Sequence, residues 1–203
     1  MTIDRASEQQ IKATMDFHGH WCPGLAIGIR AAEWALKEMG KSPDEEIVAV
    51  VETDMCGVDA IQYLTGCTFG KGNLIHKDYG KNAFTFYRRR DGKATRLVLR
   101  PTVYGDTGPV LGKLHHKMQS QGLTEEEEKT WRETRAAVSK RIMESDTKEV
   151  FELKAPEGPV PQKARIFASL TCGICGEPVM ETRTRRFNEQ VLCIPCFEAA
   201  ENR

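Results

Sequence analysis

EIVAVVETDMCGVDAIQYLTGC, residues 46–67, opens on a β-branched apolar run and ends in a short apolar stretch set between two cysteines. EIVAVVE, residues 46–52, shows no polar alternation, so it reads as a central strand covered on both faces. It leads directly to Cys56 and a short helix, VDAIQYL, which Gly66 and Cys67 follow. Downstream, AFTFYRR and ATRLVLR flank Arg90, Asp91, Gly92 and Lys93. Asp-Gly between alternating apolar residues signals a hairpin. Upstream, Ser7 and Gln10 form a capping-box pattern, and a helix from Pro23 stops at Gly40. Its small residues Gly24, Ala26, Gly28, Ala31 and Ala32 would let another backbone approach closely. A further helix starts at Thr124, with Glu127 completing its box and Trp131, Val138 and Ile142 as a sparse apolar stripe. The order predicts an α+β fold, a mixed β-sheet flanked by helices.

The chain has 203 residues, 40% hydrophobic and 29% charged, with 29 basic residues against 29 acidic ones. That balance argues against a general nucleic-acid or membrane binder. No apolar run approaches the roughly 18 residues of a membrane span, and MTIDRASEQQ has neither a basic flank nor an apolar signal core. A cytoplasmic protein is expected, in which seven cysteines are metal ligands or reactive thiols rather than a disulfide framework. APEGPVPQK, residues 155–163, carries three prolines and reads as a semi-rigid linker. The predicted organisation is a core domain over 1–154, a linker over 155–167 and a small domain over 168–203.

In that last segment CGIC, residues 172–175, precedes CIPC, residues 193–196. Two such knuckles place Cys172, Cys175, Cys193 and Cys196 around a tetrahedral zinc, without which so short a module buries too little apolar surface to fold. A thioredoxin-type dithiol is the competing reading. Four cysteines close the coordination sphere, so this zinc is structural. From Lys163 onward six basic residues meet five acidic ones, too little charge to track phosphates; a protein partner is expected instead.

A second cluster lies in FHGHWCPGLAIG, residues 17–28. In an extended segment His18, His20 and Cys22 project to one side, and Cys22 and Cys56 each precede a helix, where the dipole favours a thiolate. With Cys67 these residues form a candidate site for a second transition metal, zinc being the expected ion. The competing reading makes them inert core cysteines and packed histidines. From Lys77 to Arg100 eight basic residues meet two acidic ones. Part of that is the wet face of a hairpin, yet Lys71 and Lys81, beside glycine-rich loops, could draw an anionic small molecule toward the cysteines. His115 and His116 read as surface residues.

FHGHWCPG, ETDMCGVDAIQYLTGCTFGKGNL and DYGKNAFTFY, in this order, resemble the FmdE family of formylmethanofuran dehydrogenase proteins over roughly residues 10–145. The CGIC and CIPC tail is similar to the zinc finger that many members carry, and to that of DksA and TraR type regulators. The resemblance implies an α+β core, commonly dimeric, and an association with molybdenum or tungsten formylmethanofuran dehydrogenase. It carries over to His18, His20, Cys22, Cys56 and Cys67, with Asp59, Lys71 and Lys81 nearby. The expected function is a metal-binding accessory protein of one-carbon metabolism, partnered by an oxidoreductase complex. Were the core catalytic, Cys22 and Cys56 would serve an open metal position and Lys81 or Asp59 would move the proton. The alternative is a regulatory or adaptor protein whose core cysteines sense metal or redox state. A homodimer is expected, because the small-residue helix face and the hairpin edge need covering.

Overall fold

The computed structural model describes residues 5–41, 44 and 46–201; the MTID that begins the N-terminal stretch lies outside them. The chain divides into two compact units between Lys163 and Ala164. The first runs α1 (Glu8–His18), α2 (Pro23–Met39), β1 (Ile47–Val51), α3 (Gly57–Thr65), β2 (Leu74–His76), β3 (Ala83–Arg88), β4 (Ala94–Leu99), a 3₁₀ stretch Pro101–Thr107, α4 (Gly108–Ser120), α5 (Glu125–Glu144), α6 (Thr147–Val150) and β5 (Phe151–Lys154). Among the described residues its strands form one sheet in the order β2-β1-β3-β4-β5. β1 and β2 are parallel and the other pairs antiparallel. The parallel pair needs a crossover, which α3 supplies.

Local chemistry sets the element ends. Ser7 Oγ accepts from Gln10 N while Gln10 Oε1 accepts from Ser7 N, and Thr124 and Glu127 repeat the exchange at α5. Pro23 opens α2, and Gly40, at φ +79°, ends it. The Asp91-Gly92 turn joins β3 to β4, with Gly92 at φ +69°.

Strand alternation then divides the side chains. Ala49, Val51, Phe84, Phe86 and Leu97 share a core with Ala26, Ile27 and Ala31 of α2. Burying each phenylalanine contributes about 1.5–3 kcal/mol. Val48, Val50 and Tyr87 face the other way, against Ile75, Ala94 and Val160. β1 is therefore buried along its whole length, but its second cover is not a helix. It includes the end of the proline-rich segment, which Arg89 holds by donating to Pro161 O at 3.1 Å and Gln162 O at 2.9 Å.

The small-residue face of α2 meets α3 within the same chain: a Cβ on Gly28 would run into the Gly57 backbone. The outer edge of β4 is paired by β5. Both features from which the sequence argues for a dimer are thus satisfied inside one chain.

The second unit comprises β6 (Ser169–Thr171), β7 (Pro178–Met180), a 3₁₀ turn Glu181–Arg183, β8 (Thr184–Phe187), β9 (Gln190–Cys193) and α7 (Ile194–Glu201). β6 pairs with β7 and β8 with β9. Its buried apolar cluster is Cys172, Leu192 and Cys193, with Val179, Phe187, Cys196 and Phe197 partly buried around it. So small a core explains why four thiols are needed to hold the unit. No helix among the described residues is long and apolar enough to cross a membrane.

Candidate metal centre

The ligand atoms of His18, His20, Cys22 and Cys56 all lie within 4.8 Å of one another. Three chain events bring them there. α1 ends at His18 because Gly19 takes φ +92° and returns its N–H to Met15 O at 2.8 Å. His18 is therefore helical, and convergence with His20 comes from this reversal rather than from an extended segment; the two rings lie 4.4 Å apart. Cys22 then caps α2, its Sγ accepting from Leu25 N at 3.3 Å. Cys56 stands at the N-cap of α3, and the Gly28–Gly57 contact draws the two helix starts together. A Cβ on Gly24 would sit 3.1 Å from Cys56 Cβ and 3.7 Å from Cys22 Sγ, so glycine there leaves room for the sulfurs.

The two nitrogens of His18 are placed differently. Nδ1 lies 2.7 Å from Asp59 Oδ2, while Nε2 is buried with no hydrogen-bond partner. Asp59, three residues beyond Cys56, thus orients the ring. The carboxylate accepts from Nδ1, so in the neutral ring the lone pair is on Nε2. The His18 side chain keeps 11% exposure, whereas His20 is exposed and Cys22 buried. Burial, first, and then the nearby Cys22 push the Cys56 thiol up, while the charge of Arg135 opposes them. That guanidinium packs on the Trp131 ring at 5.3 Å, a neighbour of the site for which the sequence offered no signal.

Four donors of this kind suit one ion of the zinc class. Donors bound at about 2.0–2.3 Å around a tetrahedral ion lie roughly 3.3–3.8 Å apart, so donors within 4.8 Å of one another close on an ion by shifts of about 1 Å. Two thiols and two imidazoles are the usual donor set for such an ion.

The other sequence candidates lie elsewhere. Cys67 is fully buried, and its Sγ donates to Ile47 O at 3.4 Å; burial pushes this thiol up as well. It follows the C-terminal end of α3, about 13 Å of helix from Cys56, and is not among the four grouped donors. Lys71 is exposed, with Nζ 3.7 Å from where a Cβ on Gly66 would stand. Lys81 lines a cavity with Thr85, Tyr87 and Arg96, on the sheet face away from α2. His115 is exposed and stacks on Trp131, ring centroids 6.0 Å apart.

In the second unit Cys172, Cys175, Cys193 and Cys196 form the other group of converging donors. The backbone N–H of Cys193, at 3.3 Å, and those of Cys175 and Ile174 hold the Cys172 thiol down to about 6. Sulfur neighbours, Cys193 first, push Cys196 up to about 12. A cation at their centre would let all four bind as thiolates.

A family model described as FmdE, Molybdenum formylmethanofuran dehydrogenase operon, matches residues 17–152. A second, described as Prokaryotic dksA/traR C4-type zinc finger, matches residues 165–202. A curated Archaeoglobus fulgidus protein named "Probable S-adenosyl-L-methionine-binding protein" is 33% identical over 190 residues, covering 89% of this chain and 50% of the relative. The chain thus spans about half the length of the curated relative it matches. Among solved structures, an FmdE-like protein of the tungsten formylmethanofuran dehydrogenase type from Syntrophus aciditrophicus superposes with a TM-score of 0.62 at 24% identity, over 97% of this chain and 94% of that one. At that identity the likeness speaks for the fold.

Proposed function

This chain belongs to the FmdE family and ends in a C4-type zinc finger, and on that footing we propose that its core is a metal-binding domain in which His18, His20, Cys22 and Cys56 hold one transition metal, zinc by donor type. In this reading the protein is an accessory of one-carbon metabolism, acting beside a formylmethanofuran dehydrogenase-like oxidoreductase, as the operon in the family description suggests. The observation that carries the metal site is His18 Nε2, buried and without a partner on a residue grouped with three other donors. An unsatisfied buried nitrogen costs about 1–3 kcal/mol, which coordination would remove. With all four donors bound the coordination sphere is closed, so Lewis acidity toward a carbonyl or a bound water requires exposed His20 to yield its position. Asp59 keeps His18 turned inward, Cys22 and Cys56 anchor the buried side, and exposed His20 marks the side open to solvent. The zinc finger adds a second, structural ion. The cofactor named for the archaeal relative stays with that protein, half of which lies outside the alignment.

Elemental analysis of the purified chain tests the reading. Two metal equivalents per chain are expected in the wild type and one in Cys22→Ser. A single equivalent in both would leave only the zinc finger and favour the adaptor reading.

A further inference from the structure

The sheet face turned away from the metal centre carries a cavity of about 300 Å³. Its floor includes Thr85, Tyr87 and the Glu52–Arg96 ion pair, one wall is the loop bearing Lys77, Tyr79 and Lys81, and the other is the segment 154–157. We propose that this cavity binds a small multivalent oxyanion, a phosphorylated or polycarboxylate metabolite, between the ammonium groups of Lys77 and Lys81.

Charge is the first ground. Four cationic side chains line the cavity against two carboxylates, Glu52 and Glu157, a surplus of two positive charges that falls to one when Glu152, the partner of Lys154, is counted. Glu52 is already engaged: Arg96 Nε donates to its Oε1 at 2.6 Å and Nη2 to its Oε2 at 2.8 Å. Lys154 pairs with Glu152 at 3.1 Å. Among the described residues neither Lys77 nor Lys81 forms an ion pair. Each stands instead over the Tyr79 ring, at 6.0 and 5.9 Å from its centroid.

Placement is the second ground. Two ammonium groups gathered at one ring repel each other, a repulsion that the Glu52 carboxylate, which feels both charges, only partly offsets, so the backbone helps to hold the loop there. Lys77 N donates to Val51 O at 2.9 Å and Lys81 N to Glu52 O at 3.0 Å, and Gly80 turns the chain at φ +62°. The loop is thereby pinned to the end of β1 with both lysines beside one opening. An anion between them would relieve the repulsion, and the floor offers the Tyr87 and Thr85 hydroxyls as further donors. The cavity volume is at the lower end of the range for small-molecule sites, roughly 300–1,000 Å³.

Calorimetric titration of the full chain with pyrophosphate and, separately, with citrate tests the proposal, the tighter probe assigning the phosphate or the carboxylate class. Saturable binding near one equivalent is expected, weakened about tenfold or more in Lys77→Ala/Lys81→Ala, since a charge-assisted hydrogen bond carries that much. Both lysines are exposed, and an unchanged circular dichroism melt of the double variant confirms that folding is not at issue. Because either probe can chelate metal, the lysine variant, which keeps every candidate metal ligand, also serves as the chelation control. No saturable binding of either probe, or equal affinity in the lysine variant, would overturn the proposal.

Discussion

His18 shows how one side chain's worth depends on a neighbour distant in sequence. Its Nδ1 partner, Asp59, lies 41 positions away, and that contact decides which nitrogen faces Cys22 and Cys56. Replacing Asp59 by Asn keeps the shape but offers Nδ1 a weaker, neutral acceptor or, with the amide turned, a donor. Losing an oriented outer partner of this kind typically costs 10–100-fold in metal affinity. Competition with a chromophoric chelator should therefore show the core metal of Asp59→Asn held about 10–100-fold more weakly, with the zinc-finger metal unchanged. Equal affinities would mean that Asp59 does not orient a ligand. The sequence placed Asp59 near the site only through a family resemblance. Its pairing with His18 needed the end of α1 and the first turn of α3 to meet.

Between elements, the decisive contact is the crossing of α2 over α3. Gly28 stands against the Gly57 backbone, and Gly24 O would lie 2.8 Å from a Cβ on Gly57. No side chain can be accommodated without moving a helix, since backbone on both sides cannot rotate away. Gly28→Ala should lower stability by about 1–3 kcal/mol, the usual range for an overpacked core. It should also separate Cys22 from Cys56 and so weaken the core metal. A thermal melt with a metal count measures both, and a variant with wild-type stability and full metal would show that the crossing is slack. The glycine spacing of α2 was legible in the sequence as a close approach, yet its partner was not. Sequence reasoning offered it to a second copy, and α3 of the same chain takes it.

Taken whole, the chain is two units that fold on different grounds. The first buries a sheet against helices, including fully buried Phe84, Phe86 and Phe151. The second buries little beyond Leu192, Cys172 and Cys193. Cys172→Ser should release one metal and unfold residues 164–203, while the first unit melts as before. Limited proteolysis followed by mass spectrometry reads this directly, with cleavage confined to the tail. Loss of the whole protein in one transition would contradict the division. The proline-rich segment before the second unit is only partly a connector: Val160 packs on the sheet and Arg89 holds Pro161.

Whatever neighbours along the chain can satisfy was already legible in the order of residues. The capping boxes at Ser7 and Thr124, the Asp91-Gly92 turn and the spacing of the two Cys-x-x-Cys knuckles each close over a few residues, so their hydrogen bonds and φ angles are settled locally. The separation of Cys67 from Cys56 follows from the same local geometry, because a helix of nine residues cannot fold back on its own start, yet the sequence reading placed the two in one site. The rest waited for packing between distant segments. Which cysteine joins Cys22 follows from where two helices cross, and a contact between glycines has no side-chain pattern to announce it. Lys81 turns away from the metal centre because of where its loop is pinned to β1. Alternation puts Val50 and Glu52 on one side of that strand and Val51 on the other, and only the packed sheet shows which side carries the helices.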